Sequence, residues 1–560
     1  MIRYTSPNQL SLSAFKTPFE QNLLPSNRWV ILSEVIPWDE LATVYHRQMS
    51  SAMGRGCINT RLVIGVLIIK HMLKLDDREV LATLQENVYL QYFVGFSSFQ
   101  TKIAFDPSLL VTIRKRMGQT AFDEWSQIVI KQIETIESEI IELAGIGSEI
   151  VNNNKTKEPE AIKVTGQEPK VVDNNNKTEE SEVIKVAGQA AKVIDNKNKS
   201  EKAIAPKDTL IIDTTVAEQK IKYPTDLDLL NRVREKTESL IDIFYEYSSF
   251  TIKPRTYREN ARKEYLRASM KRKKSGKEIR KALKKQLGFI ERNIRIINTL
   301  WDDIENTLGV IPTKVFKILF KIISYKTWLV CQEVYRQQKE MIDNNVKSCP
   351  DRIVSISQPH VRAIVRGKSG KNIEFGAKVA LSVVNGTNRI FKIAWDAYND
   401  GIDLIGQVEA FKVQYGKYPL LVLADKIYLT KANRDYLKKH NIQHRGQPLG
   451  RPKTDEQGHK IKPFTPIQQK ENNQRNHVEG QFGTAKDAYN LNRVKAKLPQ
   501  TSESWIANIF FILNIIKLLK VAQIAMNRNL CALFSVFKKT FFFTQNRRFY
   551  AQSSNNMIGI

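Results

Sequence analysis

The sequence predicts an α/β fold in which a mixed sheet is flanked by helices. The run TLIIDTTVA at 209–217 is β-branched and aliphatic, as in a buried strand, and after Pro350 polar and apolar residues alternate with a period of two. Other long segments carry apolar residues three and four positions apart, which is the spacing of amphipathic helices. Strands and helices therefore alternate along one chain.

The size and charge of the chain narrow the class of protein. Its 560 residues are enough for two to four domains. Lys and Arg number 87 against 58 Asp and Glu, and the formal net charge of +29 predicts a polyanionic partner. Charge alone leaves DNA, RNA and an anionic membrane open.

The cysteine spacing indicates a reducing compartment, and the apolar segments indicate neither a secretory signal nor a membrane span. The four cysteines show no paired spacing, which argues against a zinc ribbon or a disulfide framework. The N-terminus lacks the apolar region of a secretory signal. The longest apolar stretch, 505–516, is interrupted by two asparagines and is too short to span a bilayer, so we expect a buried helix.

Residues 1–140 are predicted to form an N-terminal helical domain that binds DNA. Two segments with helical spacing flank LDDRE, in which Asp76 and Glu79 have the spacing of a helix N-cap and its capping-box partner. Two helices joined by a tight turn fit a helix-turn-helix, with the basic run 114–116 touching phosphates. A plain helical bundle with solvated charges fits the spacing equally well.

A duplicated segment follows. NNNKTKEPEAIKVTGQEPKVVD at 152–173 is repeated with changes at 174–195, and a third copy begins at Asn196. The repeats are polar and lack aromatic residues, so they predict a disordered linker, placed at 141–207. At the other end of the chain, 527–560 is predicted to be a C-terminal tail.

A basic helical insertion is predicted at 225–348. Between Lys253 and Arg295 there are 17 Lys or Arg and four Glu, a net charge of +13, with aromatic residues interleaved. A charge run is often only a solvated helix face, but this excess favours contact with DNA phosphates. Arg272, Lys273 and Lys274 form its densest run.

The remaining elements follow a known order. A strand, three strands of an antiparallel meander, a helix, a strand, a helix, a strand and a helix are predicted within 208–526. This is the order of the ribonuclease-H-like fold, with the basic block as an insertion after the first strand.

Three acidic residues, at the ends of two predicted strands and in a predicted helix, are candidate metal ligands for phosphoryl transfer. Asp213 and Asp425 each close a predicted strand, and Glu479 lies in a basic helix. Carboxylates on rigid elements can hold two Mg²⁺ ions, although an aspartate that closes a strand is commonly only a turn or cap residue. Arg475, Glu479 and Lys486 lie within about 40° on one helix face, which also fits a plain salt-bridge row. Gly480 and Gly483 favour a close backbone approach there.

These motifs, in this order, resemble the bacterial insertion-sequence transposases of the DDE class. RLVIGVLIIKHMLKLDDREVLATLQENVYLQYFVGF is similar to their N-terminal domain, DTLIIDTTVAEQKIKYPTDLDLL to the segment of their first aspartate, and LVLADKIY to that of their second. RNHVEGQFGTAKDAYNLNRVKAK followed by SWIANIFFILNIIKLLK is similar to their third-acid region. The resemblance covers nearly all of the chain outside 152–205.

The resemblance implies a site and an activity. Asp213, Asp425 and Glu479 would be the catalytic, metal-binding triad, with two Mg²⁺ ions or Mn²⁺ as a substitute. Arg475 and Lys486 match the family's Arg-x3-Glu-x6-Lys signature and would bind transposon-end phosphates. The implied activity is cleavage and strand transfer of double-stranded DNA at terminal inverted repeats and target, by a homodimer on DNA in the bacterial cytoplasm, associated with the nucleoid.

Two positions depart from the family, and two other functions stay open. Asn472 stands where many relatives carry tyrosine, and Ile427 stands where they carry glycine, which predicts a distorted loop beside Asp425. A nuclease of the same fold would cleave without joining strands. A domesticated or decayed DNA-binding protein would do neither, but the three acids in place favour the transposase.

Overall fold

The computed structural model describes residues 22–49, 58–153, 205–321, 323–365, 373–446 and 464–554. The chain divides into two compact units. The first comprises Met1–Ile133, Pro206–Gln447 and Gln474–Gln523, and the second comprises Glu134–Ala205, Pro448–Asn473 and Ile524–Ile560. The duplicated linker predicted from the sequence lies, from 154 to 204, outside the described residues.

The described chain before the sheet is helical. Its helices are α1 (Arg28–Val35), α2 (Trp38–Arg47), α3 (Thr60–Met72), α4 (Glu79–Glu86), α5 (Val88–Phe93) and α6 (Leu109–Asn153), the last interrupted at Gly118. The predicted capping box before α4 is confirmed. Asp76 Oδ1 accepts a hydrogen bond from the N–H of Glu79 (2.9 Å), and Glu79 Oε2 accepts one from the N–H of Asp76 (2.8 Å).

Helix α3 is enclosed by protein. Twelve of its 13 residues are buried, so it presents no face to a DNA groove. In a helix-turn-helix the second helix enters the groove, so the bundle and the helix-turn-helix both stay predictions. Arg114 on α6 is also buried, and its guanidinium makes two hydrogen bonds to Asp77, of 2.9 and 2.6 Å. The prediction of a phosphate contact is therefore wrong for Arg114, while Lys115 and Arg116 are exposed.

The sheet has six strands: β1 (Thr209–Glu218), β2 (Arg362–Val365), β3 (Ile373–Val384), β4 (Thr387–Ala394), β5 (Leu421–Ala424) and β6 (Gln443–His444). Its order is β2-β3-β1-β5-β6, with β4 also paired to β3. The mixed α/β architecture predicted from the sequence is confirmed, since β1 runs antiparallel to β3 and parallel to β5. β2 and β4 follow one another along the same edge of β3, so they do not form the simple meander that was predicted.

Between β1 and β2 the chain forms a helical insertion. Its helices are α7 (Asp226–Glu246), α8 (Arg258–Met270), α9 (Gly276–Leu308), α10 (Thr313–Leu319) and α11 (Tyr325–Asp343). They enclose a hydrophobic core of their own, which includes Leu230, Ile241 and Ile290. Helix α9 begins with a capping box between Ser275 and Glu278 and turns an apolar stripe into this core. The insertion is thus a packed helical body.

Helices cover both faces of the sheet. They are α12 (Asp403–Tyr415), α13 (Lys431–Lys439), α15 (Asn476–Gly483) and the part of α16 (Pro499–Ser554) up to Gln523, whereas α14 (Pro466–Asn473) belongs to the second unit. On one face, the Ser382 hydroxyl donates to Gln407 of α12 (2.7 Å). On the other, the Asn388 amide donates to Gln481 of α15 (3.2 Å), and its N–H donates to Asn514 of α16 (2.8 Å). Helices α15 and α16 therefore lie on the face opposite to α12.

Helix α16 is a core element of the first unit. The segment Pro499–Arg528 is long and apolar enough to cross a membrane, which corrects the length predicted from the sequence, but 61% of its apolar window is buried inside the protein. Such burial is typical of a core helix. Trp505 packs under the Lys70 ammonium (4.7 Å to the ring centre), and Phe511 packs against Trp125 (5.5 Å).

The second unit is helical in its described part. It contains α14 and the C-terminal parts of α6 and α16. Within it, the Arg528 guanidinium donates a hydrogen bond to the carbonyl of Ile140 (3.3 Å).

Candidate active site

Asp213 lies in the middle of the central strand. The sequence predicted that β1 ends at this residue, but β1 continues to Glu218, because residues 214–217 remain apolar or β-branched and the strand pairs with β3 as far as Gly376. Asp213 Oδ1 accepts a hydrogen bond from the N–H of Thr214 (2.8 Å). Pairing of β1 on both edges makes this a rigid position for a carboxylate.

Asp425 directly follows β5 and opens a short 3-10 turn, Lys426–Tyr428. Its Oδ1 accepts a hydrogen bond from the N–H of Lys426 (2.8 Å), as Asp213 does from the residue that follows it. The distortion expected at Ile427 stays a prediction. Its φ is not positive, so the turn does not require glycine here, and its side chain is 48% exposed.

The two aspartates lie side by side. Ile212 of β1 pairs with Ala424 of the parallel strand β5, so the next residues along the two chains are Asp213 and Asp425. Neighbouring strands lie about 4.8 Å apart, and successive side chains alternate between faces. Ile212 and Ala424 share the face covered by α12, so both aspartates belong to the face covered by α15 and α16.

Glu479 lies in the first turn of α15 on this face. The predicted continuous helix over 468–490 is broken: α14 ends at Asn473, α15 begins at Asn476, and a π-helical turn follows at Thr484–Ala488. Arg475 occupies the cap position of α15. Its guanidinium lies 3.5 Å from Glu479 Oε1 and 3.7 Å from Asp425 Oδ1, so it brings these two acids together.

Lys486 does not share the row with Glu479. It lies in the π-helical turn, where the extra residue changes the angular position, and its Nζ lies 3.4 Å from Oε1 of Glu374 on β3. The prediction of one helix face for Arg475, Glu479 and Lys486 is therefore wrong for Lys486. Gly480 and Gly483 also differ from expectation, because among the residues that the structure describes a Cβ at either position would meet nothing within 4 Å.

The acids suit a hard cation by ligand type. Within the described ranges, no three His, Cys, Asp or Glu side chains stand close enough to hold a metal ion. Asp213 and Asp425 nevertheless occupy adjacent positions, and the Arg475 guanidinium balances the charges of Asp425 and Glu479 at ion-pair distance. Carboxylate oxygens are the ligands that Mg²⁺ prefers, so the three side chains suit Mg²⁺ by ligand type.

Sequence reasoning missed two residues beside the aspartates. The Thr214 and Tyr428 hydroxyls form a hydrogen bond of 2.5 Å, and both side chains are buried. Burial raises the pKa of Tyr428 well above its ordinary value, and the nearby carboxylates act in the same direction. A tyrosine within DKIY carries no spacing signal for a partner 214 residues away.

The basic run of the insertion lies in the turn between α8 and α9. Arg272, Lys273 and Lys274 are exposed there, and within the described chain none of the three makes an ion pair. Lys274 Nζ donates to the carbonyl of Ser269 (3.1 Å). Three of the four glutamates in the basic segment are already paired, in Glu264–Lys285, Glu278–Lys271 and Glu291–Lys339. The cations of the turn therefore present unbalanced positive charge to solvent.

Comparison with known proteins finds two family matches and a relative. A family described as "Transposase DDE domain" matches residues 422–516, which include Asp425, Arg475, Glu479 and Lys486. A family described as "Transposase domain (DUF772)" matches residues 18–116. A protein of Rhizobium meliloti, "Uncharacterized protein ORF8 in nfe locus", is 30% identical over 167 residues, which are 29% of this chain and 75% of that protein.

No solved structure matches the chain. Two transposase families match in the expected order, one over the N-terminal helices and one over the second and third acids. The chain belongs to the insertion-sequence transposases of the DDE class.

Proposed function

We propose that this transposase binds the terminal inverted repeats of its insertion sequence and catalyses Mg²⁺-dependent cleavage and strand transfer of DNA. The placement of the acids carries the proposal. Asp213 and Asp425 are neighbours on β1 and β5, on the face where α15 brings Glu479 within ion-pair distance of Arg475. Acids that formed only a surface salt-bridge row would not need adjacent positions on two central strands.

The strand order supports a ribonuclease-H-like catalytic domain. β4, β3 and β1 are antiparallel neighbours, and the parallel strands β5 and β6 follow on the other side of β1. β2 and the helical insertion are additions to this arrangement. We place the catalytic domain at 208–526, with its insertion at 225–348, after an N-terminal DNA-binding domain at 1–140.

Each site residue then has a role. Asp213, Asp425 and Glu479 would hold two Mg²⁺ ions, which activate the attacking oxygen and stabilise the leaving oxygen. The N–H groups of Thr214 and Lys426 would orient the two aspartates, since each donates a hydrogen bond to one carboxylate oxygen. Arg475 and Lys486 would bind the phosphates that flank the scissile bond.

The helical insertion would supply much of the DNA affinity. The turn of Arg272, Lys273 and Lys274 is exposed and its positive charges are not paired with acidic side chains of the described residues. When these charges neutralise DNA phosphates, counterions of the DNA are released. Both open glycines of α15, Gly480 and Gly483, leave room for a DNA backbone next to Glu479. Two ends must meet before transfer, which requires a homodimer on the DNA. We place the protein in the cytoplasm, associated with the nucleoid.

The test uses the full-length chain and DNA that carries the inverted repeats flanking its gene. We expect cleavage and joining in Mg²⁺ and none in EDTA. Asp213→Asn should abolish both steps and leave end binding intact. Asp208→Asn is the matched control, because Asp208 precedes the same strand but pairs with Lys417 (2.6 Å) and should not bear on cleavage.

Two results would overturn the proposal. Cleavage without joining would identify a nuclease of the same fold. End binding without cleavage, with no difference between the wild type and Asp213→Asn, would identify a DNA-binding protein without catalysis.

A further inference from the structure

A buried hydrogen bond lies beneath the two aspartates. Thr214 Oγ1 and Tyr428 Oη are 2.5 Å apart, and the side chains are 3% and 0% exposed. Thr214 directly follows Asp213, and Tyr428 closes the 3-10 turn that Asp425 opens. Because side chains alternate along β1, Thr214 points away from the face of Asp213. The hydrogen bond therefore joins the two acid-bearing segments from below, without contacting the carboxylates.

The turn is held at a second point. Asn433 Nδ2 lies 2.7 Å from the Tyr428 carbonyl and 2.7 Å from the Gly401 carbonyl, and it donates to both. Asn433 is itself 6% exposed. A Cβ at Gly401 would lie 2.7 Å from the carbonyl oxygen of Ile427, so glycine is needed for this close approach. Asn433 thus fixes the backbone carbonyl of Tyr428. The hydrogen bond of the Tyr428 hydroxyl then sets the position of the turn relative to β1.

We infer that Thr214 and Tyr428 are positioning residues that set the separation and orientation of Asp213 and Asp425 for divalent cations. The inference rests on the proposed function. Two carboxylates on neighbouring strands repel each other, and Asp425 stands just beyond its strand, at the start of the 3-10 turn. The hydroxyl pair adds a constraint between β1 and this turn. Groups outside the ligands commonly change metal affinity or activity about 10- to 100-fold when removed.

The test is a Mn²⁺ titration of the full-length protein, with the free ion followed by electron paramagnetic resonance. Tyr428→Phe keeps the buried ring and removes the hydroxyl, and we expect about 10-fold weaker Mn²⁺ binding. The Mg²⁺ concentration for half-maximal cleavage should rise in parallel, while binding to the transposon ends is unchanged. A merely structural role would lower stability without this shift in metal dependence.

Two sets of variants act as controls. Tyr436→Phe removes a tyrosine hydroxyl that bonds Glu409 rather than β1 and should leave the Mn²⁺ affinity unchanged. Thr214→Val should reproduce the effect of Tyr428→Phe, whereas Thr214→Ser keeps a hydroxyl and should restore the affinity. This pair keeps the inference testable if Tyr428→Phe does not fold.

The outcomes separate the two proposals. If Asp213→Asn weakens Mn²⁺ binding but Tyr428→Phe and Thr214→Val do not, the positioning role is overturned and the proposed function stands. If Asp213→Asn has no effect on Mn²⁺ binding, both are overturned. Parallel weakening in Tyr428→Phe and Thr214→Val, but not in Thr214→Ser or Tyr436→Phe, supports the inference.

Discussion

Arg475 Nη1 lies 3.7 Å from Oδ1 of Asp425, and the same guanidinium reaches Glu479 at 3.5 Å. A fixed positive charge thus balances two of the three acids from the start of α15. A divalent cation bound by these acids would compete with it.

Replacing this guanidinium should change metal and DNA binding in opposite directions. Arg475→Gln removes the competing charge, so Mn²⁺ should bind the free protein more tightly, while affinity for the transposon ends falls because a phosphate contact is lost. Calorimetric titration with Mn²⁺ and filter binding with end DNA measure the two effects. Arg336→Gln is the matched control, since Arg336 also bridges two carboxylates, Glu333 (2.7 Å) and Glu340 (2.9 Å), away from the sheet. Equal or weaker Mn²⁺ binding in Arg475→Gln would contradict the competition.

Glu479 distinguishes a metal ligand from a salt-bridge partner. As a ligand, Glu479→Gln should reduce Mg²⁺-dependent cleavage by about 100-fold or more, with end binding at or above the wild-type level. As only an exposed ion pair with Arg475, it would contribute about 0 to 1 kcal/mol to the free energy of unfolding, and the cleavage rate would hardly change. Single-turnover cleavage decides between them. Glu333→Gln removes another glutamate that pairs with an arginine, in the insertion, and this variant should cleave normally. Near-normal cleavage by Glu479→Gln would remove it from the triad.

The basic turn of the insertion should govern the salt dependence of DNA binding. Replacing Arg272, Lys273 and Lys274 by alanine should lower the slope of log affinity against log salt by roughly 3, because each phosphate contact contributes about 0.9. Arg336→Gln with Lys339→Gln is the control, because both side chains already pair with glutamates and should change the slope little. An unchanged slope in the triple variant would show that DNA does not reach this turn.

Asp123 of α6 should make stability depend on pH. It lines a cavity of about 370 Å³, and burial raises the pKa of its carboxyl to about 7, against opposing effects of Gln119 and Arg389. In the unfolded chain the proton leaves near the ordinary value of 3.8. Between these values the folded state binds the proton and the unfolded state does not, so stability falls as pH rises towards 7 and is then constant.

The measurement is the melting temperature between about pH 5.5 and about pH 8. In the wild type the melting temperature should fall as pH rises across this range. Asp123→Asn should remove part of that fall and raise the melting temperature most at the alkaline end. In Asp106→Asn the slope should stay as in the wild type, because hydrogen bonds from Ser108 lower the pKa of exposed Asp106 and it titrates below this window. Identical slopes in Asp123→Asn and the wild type would contradict a buried, protonated carboxyl.

Local patterns in the sequence predicted much of the fold. Strand β1, the helix α12 and the capping box of Asp76 and Glu79 all follow from residues a few positions apart. The alternation after Pro350 located the strands β2 to β4. It could not show that β2 and β4 share one edge of β3, because register depends on contacts between distant segments.

The candidate site was predicted in its residues but not in its contacts. Asp213 and Asp425 become neighbours through pairing of β1 with β5, which no spacing encodes. Lys486 reaches Glu374, 112 residues away, because a π-helical turn replaces the ideal repeat on which a helix-face argument depends. Likewise, Asn473 and Asn476 border a break that composition alone does not place.

Helix α16 determines whether a shortened form of this protein can fold without exposing an apolar surface. Trp505 and Phe511 pack against side chains of α3 and α6, and Ser504 donates to the Arg114 carbonyl (2.6 Å), so the helix that covers the sheet also closes the N-terminal bundle. A product that starts at residue 205 keeps all three acids but exposes this apolar strip, and we expect it to aggregate on expression. We therefore expect that such internal fragments would not accumulate as competitors of the full-length protein for DNA ends.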